Sequence, residues 1–170
     1  MDDDQTALSL VPEFDNLAVV RTFSKGFGAA GVRLGYCIAQ PQIMAAFHKV
    51  NIPFSKNSLA DAFAIQAMQA RWAQKTLERV KQDKPKLLAA LAECDHLHVA
   101  HTSPGVSISM LYVNDEQINL EKVLSHAGVR VVTCSGYDGL GCNAIRLNLH
   151  EDIDTLTNLV RKADDLVLHA

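Results

Sequence analysis

The stretch Arg21-Thr22-Phe23-Ser24-Lys25-Gly26-Phe27-Gly28-Ala29-Ala30-Gly31-Val32-Arg33-Leu34-Gly35-Tyr36 sets a lysine at the mouth of a glycine-rich turn between two apolar runs. Leu17-Ala18-Val19-Val20 enters the turn as a short continuous apolar run, the pattern of a buried strand. Val32 to Ala39 leaves it as a second strand, and so short a connection predicts adjacent strands running in opposite senses. A lysine forms an imine with an aldehyde only if its amine can lose its proton near neutral pH, which needs desolvation or a neighbouring positive charge. The small residues around Lys25 and the later Arg33 are expected to supply both. Thr22 and Ser24 hydroxyls, free N–H groups of the Gly26–Gly31 turn and the Arg33 guanidinium are three kinds of donor suited to a phosphate dianion.

Two other patterns fit the same residues. Gly26-Phe27-Gly28-Ala29-Ala30-Gly31 is a literal G-x-G-x-x-G, and with Val32 it also spells a kinase glycine-rich loop. A dinucleotide fingerprint needs a helix directly after the glycines and an acidic residue about 20 positions on. Here a strand follows, and no Asp or Glu occurs between Asp15 and Asp61. The kinase reading lacks His-Arg-Asp and Asp-Phe-Gly. A solvated lysine in a glycine-rich surface turn is the plain alternative.

Thr22 to Gly31 resembles the pyridoxal-phosphate attachment motif of class II aminotransferases, and Arg21 to Tyr36 is similar to the matching stretch of histidinol-phosphate aminotransferases. A weaker likeness continues to the C-terminus. The resemblance implies that Lys25 carries the cofactor and acts as general acid and base, with Thr22, Ser24, Lys25 and Arg33 binding pyridoxal 5′-phosphate.

At 170 residues and 48% hydrophobic the chain is long enough for an ordinary core. A formal charge of −3 with no basic block argues against nucleic acid, and no apolar run is long enough to span a membrane. Cys37, Cys94, Cys134 and Cys142 form no C-x-x-C pair and no signal peptide precedes them, so a reducing cytoplasm is the expected compartment. Met1 to Asp4 reads as a frayed start or a cut edge. Pro41 suits the first turn of a helix through Val50, and Asn51 to Ser58 reads as a loop. Leu59, Phe63, Ala67, Ala70, Ala73, Leu77 and Val80 predict one buried face of a long helix. Pro85 is expected to kink or end that helix, with a second segment from Lys86 to about Cys94.

Beyond it the pattern predicts a short strand, a strand over Val106 to Val113, a helix over Leu120 to Ala127 stopped by Gly128, and a strand over Val129 to Cys134. Ser135 to Asn143 is a glycine-rich loop. Ala144 to His150 alternates, with Ile145, Leu147 and Leu149 on one face. Ile153, Leu156, Val160, Ala163 and Val167 give the stripe of a closing helix with acids in its first turn.

Arg146 lies on the polar face of that alternating strand, where pattern alone makes it an ordinary exposed arginine. Asn143 to Leu149 resembles the family's C-terminal strand, and the resemblance makes Arg146 the grip on the substrate α-carboxylate. Leu149-His150-Glu151 departs from the family there, which usually has a glycine soon after. His96-x-His98-x-x-His101 is weak as a metal set, having no Cys or acid at ligand spacing but Asp95. Asn57 and Ser58 face the cofactor across a dimer interface in the family, or simply cap a helix. Tyr36 and Tyr137 read as packing or loop residues.

The resemblance implies an α/β fold: the C-terminal portion of a fold type I pyridoxal-phosphate transferase, with residues 1–84 the end of the large cofactor domain and connecting helix, and 85–170 a small α/β domain. In such enzymes the Asp that pairs with the pyridine nitrogen and the aromatic stacked on the ring lie upstream of the point matching Met1. The implied activity is amino-group transfer in amino-acid biosynthesis, between an amino acid or amino-alcohol phosphate and a 2-oxo acid, by a cytoplasmic homodimer. Histidinol phosphate and 2-oxoglutarate are the implied substrates, and no metal, nucleic acid or membrane is involved. The alternatives are a decarboxylase of a phosphorylated amino acid, which shares the lysine motif, and an inactive fragment that serves only as an interaction domain. As a truncated chain it is expected to be inactive alone.

Overall fold

The computed structural model describes residues 6–52 and 57–169; Met1 to Asp4 and the Pro53–Lys56 part of the expected loop lie outside the described residues. The chain divides into two compact units, Met1–Glu78 and Arg79–Ala170.

In the first unit β1 (Ala18–Thr22) and β2 (Gly35–Ala39) form an antiparallel pair, with Ala18 opposite Ala39 and Thr22 opposite Gly35. The predicted pairing sense is observed, but both strands begin later than the apolar runs. Leu34 O is used by Phe23 N at 3.1 Å, and Ala30–Val32 forms a short 3-10 turn, so residues 32–34 close the loop instead of extending the ladder. Helix α1 (Pro41–Val50) starts on its proline as predicted.

The long helix expected from Leu59 is two helices, α2 (Ser58–Gln69) and α3 (Trp72–Ala92). The break falls at Arg71, which takes a left-handed φ of 53° that a side chain resists by about 1–2 kcal/mol. The predicted buried face is also rotated. Leu59 is 78% exposed, and Ala60, Ala64 and Ala67 are the buried residues of α2. Ala64 packs with Phe23 and Ala29, so the small side chains face inward where the turn before β2 comes close.

Pro85 neither ends nor splits α3. The bond its missing N–H would have made is lost, but Val80, Leu87 and Leu91 on both sides of it are buried in one core. The division between the two units falls within α3, between Glu78 and Arg79.

The second unit is a four-stranded antiparallel sheet in the order β3 (His98–Val99), β4 (Ile108–Tyr112), β6 (Ala144–Asn148), β5 (Val132–Thr133). Helices α4 (Leu120–Ala127) and α5 (Ile153–Val167) pack with it. Leu111, Ile145 and Leu147 from the sheet meet Leu120, Leu124, Leu156, Val160 and Ala163 in its core. Gly128 stops α4 with φ 104°, as its sequence position predicts. Val129 N then donates to Leu124 O at 2.8 Å, which commits Val129 to the helix end and leaves β5 two residues long where a six-residue strand was expected. Strand β3 is the short strand expected ahead of the Val106 segment, and Ala100 N donates to Met110 O at 2.9 Å beside it.

Candidate functional site

The lysine turn is fastened at its base. Phe23 is buried, stacks on Phe27 with ring centroids 4.4 Å apart, and meets Tyr36 edge-on at 6.1 Å. Ala29 N donates to Phe23 O at 3.1 Å, and Gly28 N to Lys25 O at 2.9 Å. Burying Phe23 and Ala29, with Phe27 packed against them, holds both ends of the loop while Lys25 and Gly28 between them stay exposed. Gly28 has φ +61°, which glycine adopts without cost. At Gly35 a Cβ would stand 2.7 Å from Arg21 O, so only glycine lets β2 lie this close to β1.

On this base the structure brings Thr22, Ser24 and Lys25 together. Thr22 Oγ1 donates to Ser24 Oγ at 2.9 Å, and Ser24 N donates to Thr22 Oγ1 at 3.1 Å. The two hydroxyls thus sit side by side immediately before Lys25. Arg33 ends the 3-10 turn in a left-handed conformation, φ 56° and ψ 47°, and its Nη1 donates to Ala30 O at 3.0 Å. Thr22, Lys25 and Arg33 are exposed. The dry surroundings expected for Lys25 are therefore not found, because glycine and alanine neighbours are too small to cover it. An arginine held at positive φ is strained by about 1–2 kcal/mol, a feature that clusters at ligand clamps.

As a donor set the turn suits a phosphate ester: two adjacent hydroxyls, a guanidinium and exposed backbone N–H groups, with no carboxylate among Arg21–Tyr36. Its residues fit the aldehyde cofactor that the sequence motif implies, with Lys25 as the amine.

Arg146 belongs to the second unit. It lies on β6 with Met110 of β4 and Val132 of β5 as its cross-strand partners. It is half-buried, and its Nε is buried with no hydrogen-bond partner among the described residues. Asn143, just before β6, donates from Nδ2 to Val113 O at 2.7 Å and fixes the start of that strand.

The other candidates resolve into structural roles. Asn57 Oδ1 accepts Leu59 N at 2.9 Å and caps α2. His98 meets Tyr112 with ring centroids 5.4 Å apart and planes tilted by 48°, and among the described residues no three His, Cys, Asp or Glu side chains are placed to hold a metal. No helix among them is long and apolar enough to cross a membrane. Asp83, Lys84 and Asp164 are buried charges that escaped the sequence reading. Asp164 accepts the backbone N–H groups of Asp95, His96 and Leu97 at 2.9, 2.9 and 2.7 Å, and Lys84 is 1% exposed. Both sit in ordinary polar stretches of helix, which carry no sequence signal for burial.

Residues 2–162 match the family model described as aminotransferase class I and II. The histidinol-phosphate aminotransferase of Chlorobaculum tepidum is 30% identical over 94% of this chain and 45% of its own length. The aromatic amino acid aminotransferase of Mycobacterium marinum is 51% identical over 36% of this chain and 17% of its own. Among solved structures, the histidinol-phosphate aminotransferase from Clostridium acetobutylicum superposes with a TM-score of 0.83 at 18% identity, covering 99% of this chain and 51% of that one. The L-threonine-O-3-phosphate decarboxylase from Porphyromonas gingivalis gives 0.77 at 22%, covering 95% and 50%. The chain spans about half the length of these full-length relatives.

Proposed function

The chain belongs to the class I and II aminotransferase family, and we propose that it supplies the cofactor-attachment lysine and the substrate-binding arginine of a pyridoxal-phosphate aminotransferase. Its fold is that of the C-terminal part of the fold type I enzymes. The observation that carries the reading is the Thr22-x-Ser24-Lys25 turn, where two hydroxyls 2.9 Å apart stand directly before an exposed lysine.

When bound, pyridoxal phosphate supplies an electron sink for the electrons of the substrate Cα–H bond. Thr22, Ser24 and Arg33 hold the phosphate by charge-assisted hydrogen bonds. Lys25 would hold the cofactor at its aldehyde carbon, and its amine, once free, would move the proton between substrate Cα and cofactor C4′. Arg146 receives the substrate α-carboxylate. A planar carboxylate covers the unpartnered Nε, whose burial otherwise costs about 1–3 kcal/mol, and the paired hydrogen bonds fix the rotation of Cα.

Histidinol phosphate as donor and 2-oxoglutarate as acceptor are the substrates this reading favours, in a homodimeric enzyme. The Asp that keeps the pyridine nitrogen protonated belongs to the part of the family fold that this chain does not span. The 170-residue chain by itself is therefore expected to turn over little or nothing. A titration with pyridoxal phosphate followed by visible absorbance tests the reading. A band that forms with the wild-type chain and is lost in Lys25→Ala supports it, and an equal band in both contradicts it.

A further inference from the structure

The ammonium of Lys84 is enclosed by oxygen atoms. It donates to Thr102 Oγ1 at 2.5 Å, Ser103 O at 2.8 Å and Val106 O at 2.6 Å, with Ile108 O further out at 3.4 Å. No carboxylate pairs with it among the described residues; the neighbouring Asp83 is taken by Lys86 at 3.1 Å. Thr102 Oγ1 in turn donates to Ile108 O at 3.2 Å, so its one proton is committed and it meets Lys84 only as an acceptor. The shell is thus all acceptor, three oxygens close and one far. A compact three-donor head matches it, whereas a planar guanidinium or a thioether does not.

We propose that Thr102, Ser103, Val106 and Ile108 form a univalent-cation site, filled from within by Lys84, that fixes where β4 begins. A ring of carbonyl and hydroxyl oxygens is the chemistry that replaces the hydration shell of potassium or ammonium. Burial lowers the pKa of the Lys84 amine from its ordinary value, while the all-acceptor shell favours the charged form. The segment it fastens is consequential. Ser107 O accepts Leu149 N at 2.8 Å, and Met110 of the same strand lies opposite Arg146. Loss of the internal cation takes the donor from Thr102 Oγ1 and Val106 O and leaves Ser103 O only its bond from Val106 N at 3.2 Å, and the entry to β4 should open.

The test uses the full chain with Lys84→Met, which keeps the volume without the charge, and Lys84→Ala, which empties the cage. Hydrogen exchange at the amides of Ala100 and Leu149 is the readout. Loss of charge-assisted bonds should speed their exchange by about tenfold or more in Lys84→Met, with much smaller changes in α5. In Lys84→Ala, added methylammonium or potassium should restore protection in proportion to concentration, and tetramethylammonium at equal ionic strength should not. If the variants do not fold, the wild-type chain still decides the point: the Lys84 Nζ nitrogen should show three slowly exchanging protons by NMR at neutral pH. Wild-type protection in Lys84→Met, rescue by tetramethylammonium as good as by potassium, absence of any rescue, or a neutral amine at Nζ would each overturn the site.

Discussion

Arg33 and Arg146 are both anion-binding side chains in this account, yet their surroundings assign them different work. Arg33 is exposed at the end of the lysine turn, so Arg33→Ala should weaken retention of pyridoxal phosphate by about tenfold, the size of one charge-assisted contact. In the complete enzyme Arg146→Ala should leave the bound-cofactor spectrum intact while raising KM and slowing the half-reaction. The converse pattern in equilibrium dialysis and single-turnover kinetics would reverse the assignments. Cys94 gives a check independent of the cofactor. Burial first, and then the nearby Asp164 carboxylate, push its thiol up to about 11. Since the thiolate is the reactive form, Cys94 should be alkylated far more slowly at pH 8 than an ordinary half-exposed thiol. Rapid labelling of Cys94, read by mass mapping, would contradict that placement. The lysine motif was legible at this scale because its chemistry depends on neighbours in sequence. Lys84 and Asp164 were not, because their partners lie 18 to 24 and 67 to 69 residues away.

Helix α5 was legible as an element because everything that shapes it is local: an amphipathic stripe, acids in its first turn and a capping Asp152. Asp152 accepts Thr155 N at 2.9 Å and Thr155 Oγ1 at 2.7 Å. The backbone bond from Thr155, then the hydroxyl bond, hold its carboxyl below the usual range. The folded chain therefore binds fewer protons at this group than the unfolded chain in acid. Its contribution is complete above the unfolded value of about 3.9 and is lost as pH falls through the lower folded value. Thermal unfolding of Asp152→Asn should show a flatter pH dependence below about pH 4 than wild type, and an unchanged slope would place the titration elsewhere. The α2–α3 break was hidden for a different reason. Periodicity carries on smoothly through Ala70 and Arg71, and the left-handed kink and rotated face follow from the packing of Phe23 and Ala29 on Ala64, which is tertiary. Pro85 does not end α3 because the core on both sides of it holds the helix together, which its local cost does not show. At Asp164, Asp164→Ala leaves the N–H groups of Asp95, His96 and the buried Leu97 without this acceptor. A loss of about 3 kcal/mol or more in urea unfolding is expected.

At the scale of the molecule the two units differ in how well they cover themselves. Val20, Val50, Ile52, Leu59, Ile65 and Met68 of the first unit are all more than half exposed, and β1 and β2 pair only with each other among the described residues. The second unit buries one contiguous core. A two-stranded ribbon with apolar faces is marginal alone, so the chain in isolation should self-associate, with sedimentation velocity showing species larger than 18.6 kDa. A sharp monomer boundary would show that the first unit is better covered than its exposure indicates. Fold class was legible because the lysine motif resembles one family and the α4–β5–β6–α5 pattern fits one arrangement. The central claim remains that Lys25 is the attachment lysine. Borohydride reduction of the chain after incubation with pyridoxal phosphate, followed by peptide mass mapping, tests it most directly. A pyridoxyl adduct concentrated on Lys25 and sharply reduced in Arg33→Ala is expected. An adduct spread over Lys49 and other exposed lysines, with Lys25 no more modified than they are, would contradict it.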